Sequence, residues 1–400
     1  MEPGGMGRYG VLILLAIAFV WRPATAADWS SLQRYQQTIT REEFNRALST
    51  LYAPSGALTN YLSLAGHAVN VFSTPEKSEL LFTLRFGTNS APAAPRPGKI
   101  KRIALDPGHI GGEWARMEER FFVRGADRPV QEAVLNLTVA RLLKARLEAL
   151  GATVLLTKDD FQPVTEKRPE DFRAEAESFV AHWSRFNRFP PIEREAAMAD
   201  TVRKRQELLF LRSAEIAARA RKINEELRSD PTICIHFNAV EWNDRYDLVE
   251  DNRLLLYVHG NYLDSELAED EQKLRLFTKL LEGSRELELA AAERVADALT
   301  GATGLPAVRA SGGFGLKVGR HPAVFARNLA ANRLINGAVV YLEPYYMNNR
   351  TVYQRIQLGD YDGLRDIDGR PCKSIYREYA DAVAEGLRPL LDGTGRAAAR

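Results

Sequence analysis

Residues 101–112, KRIALDPGHIGG, and residues 131–160, QEAVLNLTVARLLKARLEALGATVLLTKDD, decide the fold. Ile103-Ala104-Leu105 is a short apolar run, the mark of a strand covered on both faces. Asp106-Pro107-Gly108 then turns the chain sharply and sets His109 at the strand end. Leu135, Val139 and Leu142 fall on one stripe, with Leu143 and Leu147 beside it, so the spacing predicts a helix over 129–150. Pro129 near its start and Gly151 just past its end suit helix-end chemistry. Residues 153–157, TVLLT, return as a strand. Strand, helix, strand with short apolar strands predicts an α/β, three-layer sandwich: a mostly parallel sheet with helices on both faces.

Outward from this unit the pattern repeats. Strands are expected at 232–235, 254–258 and 338–342, and helices at 208–227 and 289–299. A Gly-rich loop spans 311–315. Two charged insertions, 158–205 and 263–288, interrupt the order. The first is broken at Phe189-Pro190-Pro191 and joins strands whose ends carry candidate site residues. It is either a cover over a cleft or a surface decoration. Upstream, residues 28–88 read as a small α+β module: Thr40-Arg41-Glu42-Glu43 is a capping box opening a helix with Phe44, Leu48 and Leu51 on one face, and 68–72 and 80–86 form a hairpin. A unit this small buries little alone and is expected to lean on the main domain. Residues 89–98 are a Pro/Ala linker, the domain of interest runs 99–391, and the Gly/Ala/Arg-rich 392–400 is expected to be a disordered tail.

Four hundred residues carry 54 Lys and Arg against 52 Asp and Glu, a formal charge of +2, with 45% apolar residues. No global field favours nucleic acid or an anionic membrane surface. Residues 1–26 have the order of a secretory signal: Arg8, an uncharged and largely apolar run over 10–21, and the small residues Ala24-Thr25-Ala26. That run is short for a permanent span, so the mature chain is expected without a stable membrane span, periplasmic or secreted. Cys234 and Cys372 show no metal spacing. Cys234 reads as a buried small hydrophobe, and a bridge between the two stays open.

Four pieces carry chemistry: His109 in DPGH, Glu132 in the first turn of the predicted helix, His236 in the strand end ICIHFNA, and Glu343 ending AVVYL. Each has a plain structural explanation by itself: a turn histidine, a carboxylate favoured by a helix dipole, a hydrogen-bonded core histidine, a solvated strand end. Open α/β sheets gather such strand ends at one edge. Two imidazoles and one carboxylate then make a three-donor zinc set with an open fourth position, and a second carboxylate is left free to activate water. Asp106 is expected to orient the His109 ring. His67, His182, His259 and His321 are read as lying outside the set, although His321 could line the cleft.

IALDPGHIGG, QEAVLNLTVARLLKARLEALGATVLLTKDD, ICIHFNA and AVVYLEPYYMNN together resemble the zinc-dependent N-acetylmuramoyl-L-alanine amidases of bacterial cell walls, over about residues 101–391. The resemblance implies a mixed sheet, Zn2+ on His109, Glu132 and His236, and Glu343 as the catalytic carboxylate. It also implies peptidoglycan as substrate, with an activating partner left open. Ile110, which lengthens the family's GHGG to GHIGG, Phe237 after the second histidine, and Pro344 after the glutamate depart from the pattern. Two other functions stay open: a zinc peptidase of similar fold acting on the stem peptide, and a cell-wall binding or regulatory protein without turnover.

Overall fold

The computed structural model describes residues 27–88, 100–181, 190–229, 231–240, 247–309 and 315–394. The expected signal (1–26), the linker (89–98), most of the Gly-rich loop and the tail from 395 onward lie outside the described residues.

In the N-terminal module, α1 (Arg41–Ala47) opens on the capping box read from the sequence: Thr40 accepts from the Glu43 N–H, and the Glu43 side chain reaches back to Thr40. Its sheet has three antiparallel strands, β1 (Leu62–Ala65), β2 (Ala68–Phe72) and β3 (Leu80–Arg85), one more than the hairpin expected. β1 escapes sequence reading because only its first residue is buried, so it shows no alternation.

The main domain begins with β4 (Arg102–Pro107). A two-stranded ribbon follows, β5 (Phe121–Phe122) with β6 (Val130–Gln131), and then α2 (Glu132–Ala149) and β7 (Thr153–Leu156). The helix thus starts at Glu132 rather than at Pro129, because Val130 and Gln131 pair with Phe122 and Phe121 in the ribbon. After α3 (Arg173–Ala181) comes α4 (Pro191–Leu209), which starts well before the predicted residue 208. Pro191 is its first residue, a position where proline's missing N–H costs nothing. A π-helical turn over Phe210–Ala214 joins α4 to α5 (Glu215–Arg221).

Then come β8 (Thr232–Ile235), β9 (Leu256–Val258), α6 (Asp270–Glu282) and α7 (Arg285–Thr303), the last longer than the 289–299 predicted. The order continues with β10 (Leu316–Lys317), β11 (Val324–Ala326), α8 (Ala330–Leu334), β12 (Val339–Leu342) and α9 (Arg350–Gln357). A hairpin, β13 (Arg365–Ile367) and β14 (Arg370–Cys372), precedes α10 (Ile375–Asp392). Among the described residues, no helix is long and apolar enough to cross a membrane.

Seven strands form the main sheet in the order β10-β11-β9-β12-β8-β4-β7. The β7–β4, β4–β8, β8–β12 and β9–β11 pairs are parallel, while β9–β12 and β10–β11 are antiparallel, so the sheet is mixed and mostly parallel. Alternation assigns the faces. Ile103, Leu105, Ile233, Ile235, Val340 and Leu342 enter the core built with α2, α7 and α10. Ala104, Cys234 and Val339 point the other way, against Ala220, Ile223 and Ile335. Helices therefore cover both faces, as the short apolar strands predicted.

The N-terminal module joins the first core through α6. Phe277, fully buried, meets Trp29 and Phe44 with ring centroids 6.0 and 5.7 Å away. The 263–288 stretch, charged in sequence, thus supplies the amphipathic helix on which the module rests.

Candidate metal centre

β4, β8 and β12 are neighbours in the sheet and end at the same edge, and their C-terminal ends deliver Asp106-Pro107-Gly108-His109, His236 and Glu343. The N-terminus of α2 points Glu132 into the same place. One donor atom each from His109, Glu132 and His236 lies within 4.8 Å of the others. His109 Nε2 is 3.1 Å from Glu132 Oε2, and His236 Nδ1 is 3.0 Å from Glu132 Oε1. Two imidazole nitrogens and a carboxylate at this spacing fit the mixed nitrogen and oxygen donor set of a zinc site.

Local packing fixes this approach. A Cβ at Gly108 would fall 1.9 Å from His236 Cε1, so only glycine lets the two strand ends come this close. Gly111, at φ +83°, would place a Cβ 2.6 Å from that of Ala133. His109 itself sits at φ +63°, a left-handed conformation that a non-glycine residue holds only under constraint. Arg219 of α5 supplies part of that constraint, donating to the carbonyls of Pro107 at 3.0 Å and His109 at 2.9 Å. The His236 ring stacks on Tyr341, centroids 4.3 Å apart at 18°.

The charges are unevenly held. Burial opposes ionisation of Glu132, but the His109 charge and hydrogen bonds from both imidazoles outweigh it and hold its carboxyl well below the usual range. Arg120 Nε, 3.2 Å from Glu132 Oε2, stands on the rim. Burial lowers the His109 pKa, yet Glu132 and Glu118 overcome this and raise it to about 9. The His236 pKa is pushed down by burial, against the pull of Glu132. Glu343 is driven the opposite way from Glu132: burial first, then the negative charge of Glu132, push its carboxyl well above the ordinary value. Its carboxylate makes no hydrogen bond among the described residues. Two carboxyls forced apart in pKa at one site suit different tasks, the ionised one to hold a cation and the more basic one to carry a proton.

Sequence reading missed the groups beneath these four. Asp106 does not reach His109; its Oδ1 accepts from Thr157 Oγ1 at 2.6 Å and lies 3.5 Å from Arg219 Nη1. As the register partner of Cys234 on the α5-covered face, it is aimed away from the ring. Glu118 reaches His109 instead, from a loop without periodicity. Arg219 and Glu215 form a buried pair at 2.7 Å, whose only trace in sequence is the i, i+4 spacing. Asn136 donates to the Gly108 carbonyl at 3.1 Å.

His321 lies outside the cluster; its Nδ1 accepts from Ala323 N–H and its Nε2 meets Thr300 Oγ1 at 3.2 Å. His259 is buried against Tyr262, 3.1 Å from its hydroxyl, and His67 is exposed. His182 lies outside the described residues. Both cysteine thiols are free. In the 158–205 insertion, Phe161 packs against Gly111 and Gly112, and Arg168 sits 5.8 Å from the Trp114 ring, so its first part walls the His109 loop.

No protein-family model matches the chain, and no curated protein matches it. Solved structures that it resembles include N-acetylmuramoyl-L-alanine amidases. The catalytic domain of CwlV from Bacillus (Paenibacillus) polymyxa var. colistinus is 17% identical, with 73% of this chain and 99% of that one covered at a TM-score of 0.40. Ami1 from Mycobacterium abscessus is 15% identical, covering 73% and 98%, at 0.38. CwlD from Clostridioides difficile, solved in complex with the GerS lipoprotein, is 15% identical over 73% and 98%, at 0.37. These scores are low, and the fold assignment stands on the sheet order and the two helical layers.

Proposed function

We propose that this chain is a peptidoglycan hydrolase that cleaves the amide between the lactyl group of N-acetylmuramic acid and L-alanine. The observation that carries a hydrolytic metal site is the convergence of His109, Glu132 and His236 at one sheet edge, with Glu343 within the field of Glu132 there. The choice of bond rests on the four motifs that resemble the cell-wall amidases. His109 Nε2, a Glu132 oxygen and His236 Nδ1 would hold Zn2+. Bound there, the metal supplies a Lewis acid for the scissile carbonyl and a water acidified toward about pKa 7.

The chain's own groups do the rest. Glu343 accepts the proton of the attacking water and returns it to the leaving amine. Burial and the neighbouring Glu132 charge raise its basicity toward that task. Arg219 and Asn136, gripping the Pro107, Gly108 and His109 carbonyls, keep the strand end in shape while protons move. The Phe161 wall limits water entry from the insertion side. Export as a periplasmic or secreted protein completes the reading, since the substrate lies outside the cytoplasm.

The test is mass analysis of muropeptides after digestion by the purified mature chain, with and without a chelator. A free lactyl carboxylate on the glycan and an L-alanine amino terminus on the peptide are expected, and chelation should abolish both. Cleavage within the stem peptide would assign a peptidase instead. Bound zinc without any product would assign a binding or regulatory protein.

A further inference from the structure

The loop that carries His109 and Ile110 is held by a single carboxylate. Glu118 is almost fully buried, with 5% of its side chain exposed. Its Oε1 accepts the Ile110 N–H at 2.8 Å, and its Oε2 accepts the Gly111 N–H at 3.1 Å. Oε1 also lies 3.5 Å from His109 Nδ1. The inserted Ile110 is itself fully buried. One side chain therefore collects two amide protons of the loop and faces the outer nitrogen of a ring whose other nitrogen faces Glu132. His109 stands at φ +63°, with this carboxylate holding the two amides that follow it and Arg219 holding its own carbonyl.

We propose that Glu118 is the positioning residue for His109: it keeps the ring proton on Nδ1, so that Nε2 is the atom presented to the metal, and it locks the lengthened loop in its left-handed turn. The inference rests on the metal site proposed above. A carboxylate suits the role because each approaching group is a donor, and an ionised carboxyl has only acceptors to offer. An outer partner on a ligating histidine fixes tautomer and ring angle, and its loss commonly weakens metal binding about 10–100-fold. His236 has the reverse arrangement, turning Nδ1 toward Glu132. The two imidazoles thus present different nitrogens, and only His109 needs its Nδ1 blocked.

The experiment measures zinc affinity by chelator competition, together with long-range 15N–1H spectra of the imidazoles in the zinc-loaded full chain. The parent should show His109 protonated at Nδ1. In Glu118→Gln the amide must turn its NH2 toward Ile110 and His109 or toward Gly111, donor against donor. Zinc affinity should fall about 10–100-fold, and the His109 Nδ1–H signature should be lost or mixed. Glu118→Asp, which keeps the charge, should recover part of the affinity. A zinc-loaded parent with His109 metallated at Nδ1 overturns the proposal without any variant. So does a Glu118→Gln chain with parental affinity and parental tautomer. Those results leave the metal site standing. A parent that binds no zinc, or a His109→Ala chain that binds it as tightly as the parent, takes down the metal site and this inference together.

Discussion

Two regions of this molecule bury charge, and they treat it in opposite ways. Around α6, Lys273 is wholly buried, yet its ammonium donates to the Ser73 and Leu267 carbonyls at 3.0 and 3.2 Å, pairs with Asp270 at 2.9 Å and lies 4.3 Å from the centre of the Tyr61 ring. Lys279 donates to the Gly337 carbonyl and pairs with Glu282 at 3.4 Å. Each cation there has a backbone carbonyl and a carboxylate as partners. At the ends of β4, β8 and β12, Glu343 is set within the field of Glu132 and makes no hydrogen bond of its own among the described residues. A buried charge with every partner in place stabilises a junction. A half-buried carboxyl set beside an ionised one works against stability and is retained where chemistry needs it. The α6 region is structural by this criterion, and the strand-end region is where we place the proposed chemistry.

The largest effects should come from the strand ends. Glu343→Gln keeps the shape of the side chain and removes its proton affinity, so turnover should fall roughly 10²–10⁴-fold while zinc content stays parental. His109→Ala, Glu132→Ala and His236→Ala should lose metal and activity together, each removing one of three donors. Metal analysis beside muropeptide hydrolysis for the four variants checks this. Zinc lost from Glu343→Gln but kept in Glu132→Gln would mean that the carboxylates have exchanged roles.

The α6 side should respond in stability alone. Phe277→Ala removes the ring shared by Trp29 and Phe44 and should cost about 3–5 kcal/mol, read from urea unfolding. Zinc affinity of the folded chain should not move. A parallel loss of zinc affinity would join the two regions that the comparison separates.

A smaller effect belongs to Glu288, a buried carboxyl on α7 that accepts the Val339 N–H at 2.9 Å. Burial raises its pKa from 4.5 to about 7, against the pull of Lys279. Its contribution to stability is complete below the unfolded pKa and is lost as pH rises through the folded one. Stability should therefore decline between about pH 4.5 and 7 by up to about 3 kcal/mol at 1.4 kcal/mol per unit. Glu288→Gln, still able to accept the Val339 proton, should flatten that decline. Urea midpoints from pH 4.5 to 8.5 decide it, and an unchanged slope in the variant would place the titrating group elsewhere.

The sequence by itself determined the strand 232–235 and, to within one residue, the strand expected at 338–342, with the α2 stripe, the layers on both sheet faces, the capping box at Thr40 and the residues that gather at the sheet edge. These are local signals: periodicity reports which face of an element is covered, and a polar residue ending an apolar strand stands out against it. Only the tertiary structure decided what surrounds them. Glu118 reaches His109 from nine residues away in a loop without period, and Asp106 is turned toward Thr157 and Arg219 by the alternation of β4. Gly108 yields its Cβ space to a ring 128 positions later in the chain. The start of α2 moved to Glu132 because a ribbon claimed Val130 and Gln131, and the charged 263–288 stretch became a core helix because the N-terminal module covers it. Such contacts depend on which segments the sheet brings side by side, and no window of sequence contains both partners.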